Sequence, residues 1–246
     1  MPTTAGTGSE ATKNAVISSR ARGFKKSLRS PLLLPPLALI DPELTASCPR
    51  PVTVASGMDA ITQLLESCIS VRATPMSQAL SWQGMRGTLA ALREAAHHPQ
   101  SRAPREQMAL AALLSGMALA NSGLGLAHGV AASLGIHCGV AHGLACAVML
   151  PVAIQVNREV AAVPLAEAAA TLLERNFDTP ERAIDELQAE LSTLYEELGL
   201  PRRLGELGVP RDQISAIARD SFGNSMSGNP QSLTPPELSE LLHANW

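Results

Sequence analysis

Asp59, Gln63, His128 and His142 are the residues of this chain whose types and spacing could share one piece of chemistry. Asp59 and Gln63 stand four apart in the segment Gly57-Met-Asp-Ala-Ile-Thr-Gln-Leu-Leu-Glu66, so a helix would point both the same way. Asp59 sits among apolar neighbours, where a lone carboxylate is costly unless it is paired or bound to a metal. His128 and His142 each precede a glycine. The missing side chain beside each ring would leave room for a second group or a substrate. One carboxylate, two imidazoles and an amide oxygen make a mixed N/O set. Such a set suits a divalent first-row ion, iron or zinc, better than calcium, which takes oxygen alone. Singly the residues say little: a buried histidine is more often a satisfied core residue, and Asp59 alone could cap a helix.

The two histidines lie in a stretch that must be structural. Residues 107–157 contain no Asp, Glu, Lys or Arg, yet hold His128, His137 and His142. A run this long without fixed charge is the centre of a folded core or a membrane segment. Asn121, Gly123, Gly125, Gly129, Gly135, Gly139, Gly143 and the histidines interrupt it every few residues, so no clean block of about 20 apolar residues remains. No aromatic belt flanks it. Buried helices forming the inner wall of a metal site are the expected arrangement.

Composition agrees. Hydrophobic residues make up 46% of the chain but aromatics only 2%, and Ala and Leu dominate, which favours helix over strand. A net charge of −3 suggests neither nucleic acid nor an anionic membrane as a partner. The four cysteines are scattered without a CxxC, which fits reduced thiols in the cytoplasm. The start carries no basic-then-apolar leader.

Along the chain, residues 1–48 read as extended. A strand is expected within residues 14–18, and the prolines at 31, 35 and 36 predict a ribbon with an edge strand near Leu37–Ile40. From Pro51 the texture turns helical. Helices are expected over 52–71, 76–97, 105–122, 140–156 (with Pro151 as a kink), 164–175, 179–199, 210–221 and 234–244. Thr179 with Pro180 and Thr234 with Pro235 and Glu237 mark two helix starts, and Gly199 marks one end.

The segments Pro2-Thr-Thr-Ala-Gly-Thr-Gly-Ser-Glu10, Leu39-Ile-Asp-Pro-Glu-Leu-Thr45, Gly57-Met-Asp-Ala-Ile-Thr-Gln63 and Gly123-Leu-Gly-Leu-Ala-His-Gly129, with Ala141-His-Gly143, resemble the iron-type (group III) alcohol dehydrogenases. The match is collinear from residue 2 to about 160. The resemblance implies a mainly α chain of the dehydroquinate synthase-like/iron alcohol dehydrogenase fold. Residues 49–246 would form an all-helical metal-binding domain, and residues 1–48 a short β remnant of the α/β nucleotide-binding domain. It implies an NAD(P)-dependent oxidoreductase that interconverts a small alcohol with an aldehyde or ketone by metal-polarised hydride transfer.

The resemblance carries the Fe²⁺ or Zn²⁺ ligands onto Asp59, Gln63, His128 and His142. NAD or NADP would touch Thr3, Thr4, Thr7, Asn14, Lys25 and Leu44. Two departures stand out. Gln63 replaces a usual histidine, and Ala132 occupies the place of a second histidine linked to proton relay or substrate contact, a role His137 could take over. The rest of the nucleotide domain, with its Gly-Gly-Gly-Ser phosphate loop, would precede residue 2. The chain is therefore expected to be a fragment, a product of a misplaced start, or a short form that needs that domain for hydride transfer. A homodimer is the expected assembly.

Overall fold

The computed structural model describes residues 1–19 and 24–246, without the side chains of residues 18–26. Ten α-helices, six short 3-10 helices and one two-stranded sheet make up the regular structure among the described residues. Strands β1 (Asn14–Ser19) and β2 (Phe24–Arg29) pair antiparallel, with Asn14 opposite Arg29. The expected edge strand at Leu37–Ile40 does not form. Strands need a partner for their backbone groups, and β1 pairs with β2 instead, while single 3-10 turns occupy Pro31–Leu33 and Pro42–Thr45.

Helix α1 (Arg50–Ile69) is the centre of the molecule. It is buried on nearly every side from Thr53 to Ile69, its polar residues Asp59, Thr62, Gln63 and Glu66 included. It packs on α2 (Pro75–Met85), α3 (Thr88–His97), α4 (Arg102–Ala120), α6 (His142–Asn157) and α7 (Ala162–Leu173). With α8 (Pro180–Leu198) they form one core built around Met58, Ile61, Leu65, Leu92, Leu165 and Leu187, to which α6 contributes Ala147, Leu150 and Ile154. A second core joins α5 (Leu126–His137), α6, α9 (Ile214–Asp220) and α10 (Pro235–Ala244) through Leu134, Met149, Ile217 and Leu238. The donor residues lie where α1, α5 and α6 meet, between the two cores.

The helix expected over 76–97 is two. Gly87 takes a left-handed φ of 66° and the chain turns there, the carbonyl of Arg86 accepting from Gln107 Nε2 at 2.6 Å. Pro151 lies inside α6, which continues through it. Proline has no N–H for the carbonyl four residues earlier. That carbonyl, Ala147 O, accepts instead from the buried Tyr195 hydroxyl of α8, so the break in the ladder is repaired by a neighbouring helix. The caps expected at Thr179, Gly199 and Thr234 all form, Thr234 and Glu237 as a reciprocal capping box. The four cysteines are free thiols. No helix among the described residues is long and apolar enough to cross a membrane.

Candidate metal centre

Asp59 projects from the middle of α1, His128 from the first turn of α5, and His142 opens α6. Asp59 Oδ1 lies 3.3 Å from His128 Nε2 and 3.7 Å from His142 Nε2. Asp59 and His128 are buried, whereas the His142 side chain is 35% exposed, so the cluster opens to solvent on that side. Cys146 follows His142 by one helical turn. One donor atom from each of Asp59, His128, His142 and Cys146 falls within 4.8 Å of all the others. Asp59 Oδ1 and His128 Nε2 are within ion-pair distance, yet neither has a hydrogen-bond partner in a buried setting. Two orphaned polar atoms aimed at one point are costly in a protein core unless something sits between them. The edge of a tetrahedron with metal bonds of about 2.0–2.1 Å is about 3.3 Å, which matches the spacing of this pair. The N/O donors therefore fit a divalent first-row ion.

The outer contacts aim the donors. Thr7 Oγ1 donates to Asp59 Oδ2 at 2.8 Å, leaving Oδ1 to face the imidazoles. Glu66, two turns beyond Asp59 on α1 and buried, accepts from His128 Nδ1 at 2.7 Å. A carboxylate only accepts, so Nδ1 carries a hydrogen, and Nε2 is the nitrogen that would offer its lone pair to a metal once its proton is displaced. The same carboxylate accepts from the backbone N–H groups of Gly125 at 3.0 Å, Ala127 at 2.6 Å and His128 at 3.3 Å, capping the start of α5. Asn229 Oδ1 takes Leu126 N–H at 3.1 Å. Residue 125 is glycine because a Cβ there would stand 2.8 Å from Asn229 Oδ1 and 2.9 Å from Glu66 Oε1.

Burial pushes the Asp59 carboxyl up, but the attraction of His128, the charge of His142 and the Thr7 hydrogen bond outweigh it and bring it down to about 2. Burial alone would depress His128; Cys146, Asp59 and Glu66 together raise it well above the usual imidazole range. Burial drives the Cys146 thiol up to about 12.

Asp59, His128 and His142 are brought together as expected. Gln63 lies beside them, its amide nitrogen donating to Thr7 O at 2.8 Å and Ser115 Oγ at 2.9 Å. His137 is not brought to the cluster. It closes α5, nine residues or about 13 Å of helix past His128, and its Nε2 pairs with Asp220 Oδ2 at 2.7 Å. The glycines after the histidines do not make room for a substrate. A Cβ at Gly143 would meet Ala55 O at 2.1 Å, and one at Gly129 would meet Ser221 O at 3.1 Å, so both allow close packing of neighbouring chain segments. Thr3 and Thr4 are exposed, Asn14 Oδ1 accepts from Arg29 Nε at 3.0 Å, and Leu44 lies on the 3-10 turn of residues 42–45. Lys25 is in β2, with its side chain outside the described residues. Sequence reasoning missed Cys146 and Glu66. Both carried a signal, four residues after His142 and seven after Asp59 on apolar helices.

The fold is a two-core helical bundle in which a carboxylate and two imidazoles converge from α1, α5 and α6. The chain belongs to the iron-containing alcohol dehydrogenase family: residues 53–246 match the model of the Fe-containing alcohol dehydrogenase family, C-terminal, and residues 1–42 match the model of iron-containing alcohol dehydrogenase. It is 32% identical to a probable alcohol dehydrogenase, EutG, of Escherichia coli (strain K12), over 99% of this chain and 61% of that protein. It is 35% identical to a 1,3-propanediol dehydrogenase of Citrobacter freundii, over 97% of this chain and 62% of that one. A crystal structure of 1,3-propanediol oxidoreductase superposes with a TM-score of 0.94 at 31% identity, covering 99% of this chain and 64% of the other. Sulfoacetaldehyde reductase from Bifidobacterium kashiwanohense, solved in complex with NAD+, superposes at 0.90 with 27% identity, covering 99% and 63%. The chain thus spans about 61% of the length of the E. coli relative.

Proposed function

We propose that Asp59, His128 and His142 hold a divalent ion, iron or zinc, beside Gln63 and Cys146. In this reading the ion serves an NAD(P)-dependent interconversion of a small alcohol with an aldehyde or ketone. The observation that carries it is the buried pair Asp59 Oδ1 and His128 Nε2, 3.3 Å apart without a well-formed hydrogen bond, which one shared cation would satisfy. When bound, such an ion polarises an alcohol or carbonyl oxygen, and the hydride chemistry belongs to the nicotinamide. The chain's residues do the positioning. Glu66 orients His128, and Thr7 turns Asp59. Burial of Asp59 and His128 keeps water from two sides, and the half-buried His142 leaves one approach for a small substrate.

The cofactor is assigned to Thr3, Thr4, Thr7, Asn14, Lys25 and Leu44, with residues 1–48 as its side of the molecule and 49–246 as the metal-holding part. The relative solved with NAD+ supports a nicotinamide cofactor. Action in the cytoplasm as a homodimer completes the proposal. Exposed Val16, Leu28, Leu32 and Leu37 support the assembly, and sedimentation would read it.

His142→Ala should remove bound metal, measured by elemental analysis after dialysis; retained stoichiometric iron or zinc would reject the ligand set. The described residues include one two-stranded sheet and no α/β nucleotide lobe, which favours a second reading, a metal-binding unit inactive without that lobe. Titration with NADH and NADPH separates the two. Tight binding by this chain supports catalysis, and absence of binding supports the second reading.

A further inference from the structure

We propose that Cys146, as a thiolate, is the fourth protein ligand to the ion held by Asp59, His128 and His142, and that this soft donor makes zinc the resident metal. The inference rests on the metal reading above and goes beyond it in naming a ligand and choosing between two metals.

Three observations carry it. Cys146 is four residues after His142 on α6, so both side chains leave the same face. Its sulfur lies 3.8 Å from His142 Nε2, and all four donor atoms fall within 4.8 Å of each other. A tetrahedral zinc with bonds of about 2.3 Å to sulfur and about 2.0 Å to nitrogen would space those two atoms by about 3.5 Å, so this pair needs a shift of only a few tenths of an ångström, and the wider pairs of the cluster close further as the ion enters. Gln63, the competing donor, is already committed. Its amide nitrogen donates to Thr7 O and to Ser115 Oγ, and Ser115 Oγ donates on to Ala112 O at 2.8 Å. Those bonds hold the segment whose Thr7 hydroxyl reaches Asp59. The amide oxygen left over is neutral and hard. A thiolate is charged and soft, which favours zinc over ferrous iron. Binding forms the sulfur–metal bond and releases the thiol proton to solvent. One carboxylate and one thiolate then balance the two positive charges of the ion.

The test uses cobalt(II) as the probe, added to the whole chain after chelation and dialysis. The expected result is a thiolate-to-cobalt charge-transfer band in the near ultraviolet, abolished by added zinc as cobalt is displaced. Cys146→Ser should remove the band while cobalt still binds, with affinity reduced at least the roughly tenfold that even an outer-contact change costs. Gln63→Ala should keep the band. Cobalt bound without the band, in the unsubstituted protein, would overturn the ligand assignment and leave the metal reading standing; so would a band that survives Cys146→Ser. No cobalt binding at all would overturn both. Ferrous iron displacing zinc at equal concentration under anaerobic conditions would overturn the choice of metal. Because the band is read first in the unsubstituted protein, the outcome does not hang on the folding of a variant.

Discussion

Glu66→Gln should damage both the fold and the metal site, and the structure sets the size of each effect. The carboxylate accepts four N–H groups: Gly125 N, His128 N and His128 Nδ1 on Oε2, and Ala127 N on Oε1. Glutamine keeps one acceptor oxygen, best placed where three donors converge, and must put its NH2 at the Oε1 position. Ala127 N–H then faces another donor 2.6 Å away in a buried site. Leaving that group unsatisfied costs about 1–3 kcal/mol, and the remaining three bonds lose their charge assistance, at roughly half their strength. The start of α5 also loses a negative charge at its positive end, about 0.3–1 kcal/mol. The expected total is about 3–5 kcal/mol. Urea unfolding of the metal-free protein should report it as a lower midpoint with an unchanged slope. Because His128 would no longer be oriented, zinc affinity should fall about 10- to 100-fold. A destabilisation under about 1 kcal/mol with unchanged zinc affinity would refute the assignment of Glu66 as the residue that positions His128.

Tyr195→Phe should cost about 1–3 kcal/mol in thermal or urea unfolding, since it strands the Ala147 carbonyl that Pro151 cannot serve; no loss would mean that carbonyl finds another donor. Gly143→Ala should be worse than its one methyl suggests, about 1–3 kcal/mol or more, because the Cβ would stand 2.1 Å from the Ala55 backbone oxygen and α6 would have to move off α1. Cobalt spectra of that variant should change along with its stability. In the metal-free protein, the lowered Asp59 carboxyl contributes about 2 kcal/mol that is present above pH 3.8 and lost as pH falls through about 2. The raised His128 contributes below pH 6.5, and its share is lost as pH rises through its elevated value. The advantage of the unsubstituted protein over Asp59→Asn should therefore be greatest between about pH 3.8 and 6.5 and shrink on both sides. A difference that stayed level from about pH 2 to well above pH 6.5 would count against the pairing.

What was legible in the sequence was mostly local. The starts of α8 and α10 could be read because a cap is made by residues three apart: Thr179 with Arg182 N–H, and Thr234 with Glu237. The burial of the α5–α6 region could be read from the charge-free run of residues 107–157, whereas the centrality of α1, which carries Asp59 and Glu66, could not. Long-range effects were not legible. The start of α5 is capped by Glu66 from α1 and Asn229 from the C-terminal region, so nothing near Gly125 announces it. The passage of α6 through Pro151 depends on Tyr195, some 44 positions later. The strand expected at Leu37–Ile40 rested on composition alone, and composition cannot supply a pairing partner. Asp59, His128 and His142 were found through family resemblance joined to donor chemistry. Cys146 escaped because that resemblance fixed attention on Gln63, although the spacing of four from His142 was visible. His137 looked close to His128 in number but stands at the other end of the same helix.

The most direct measurement is anomalous diffraction from crystals grown with zinc, recorded on both sides of the zinc absorption edge. The expected map has a single strong peak within about 2.0–2.3 Å of Asp59 Oδ1, His128 Nε2 and His142 Nε2. A cluster without a peak, or zinc found only at an exposed pair such as His137 and Asp220, would contradict the convergence of α1, α5 and α6 on one ion.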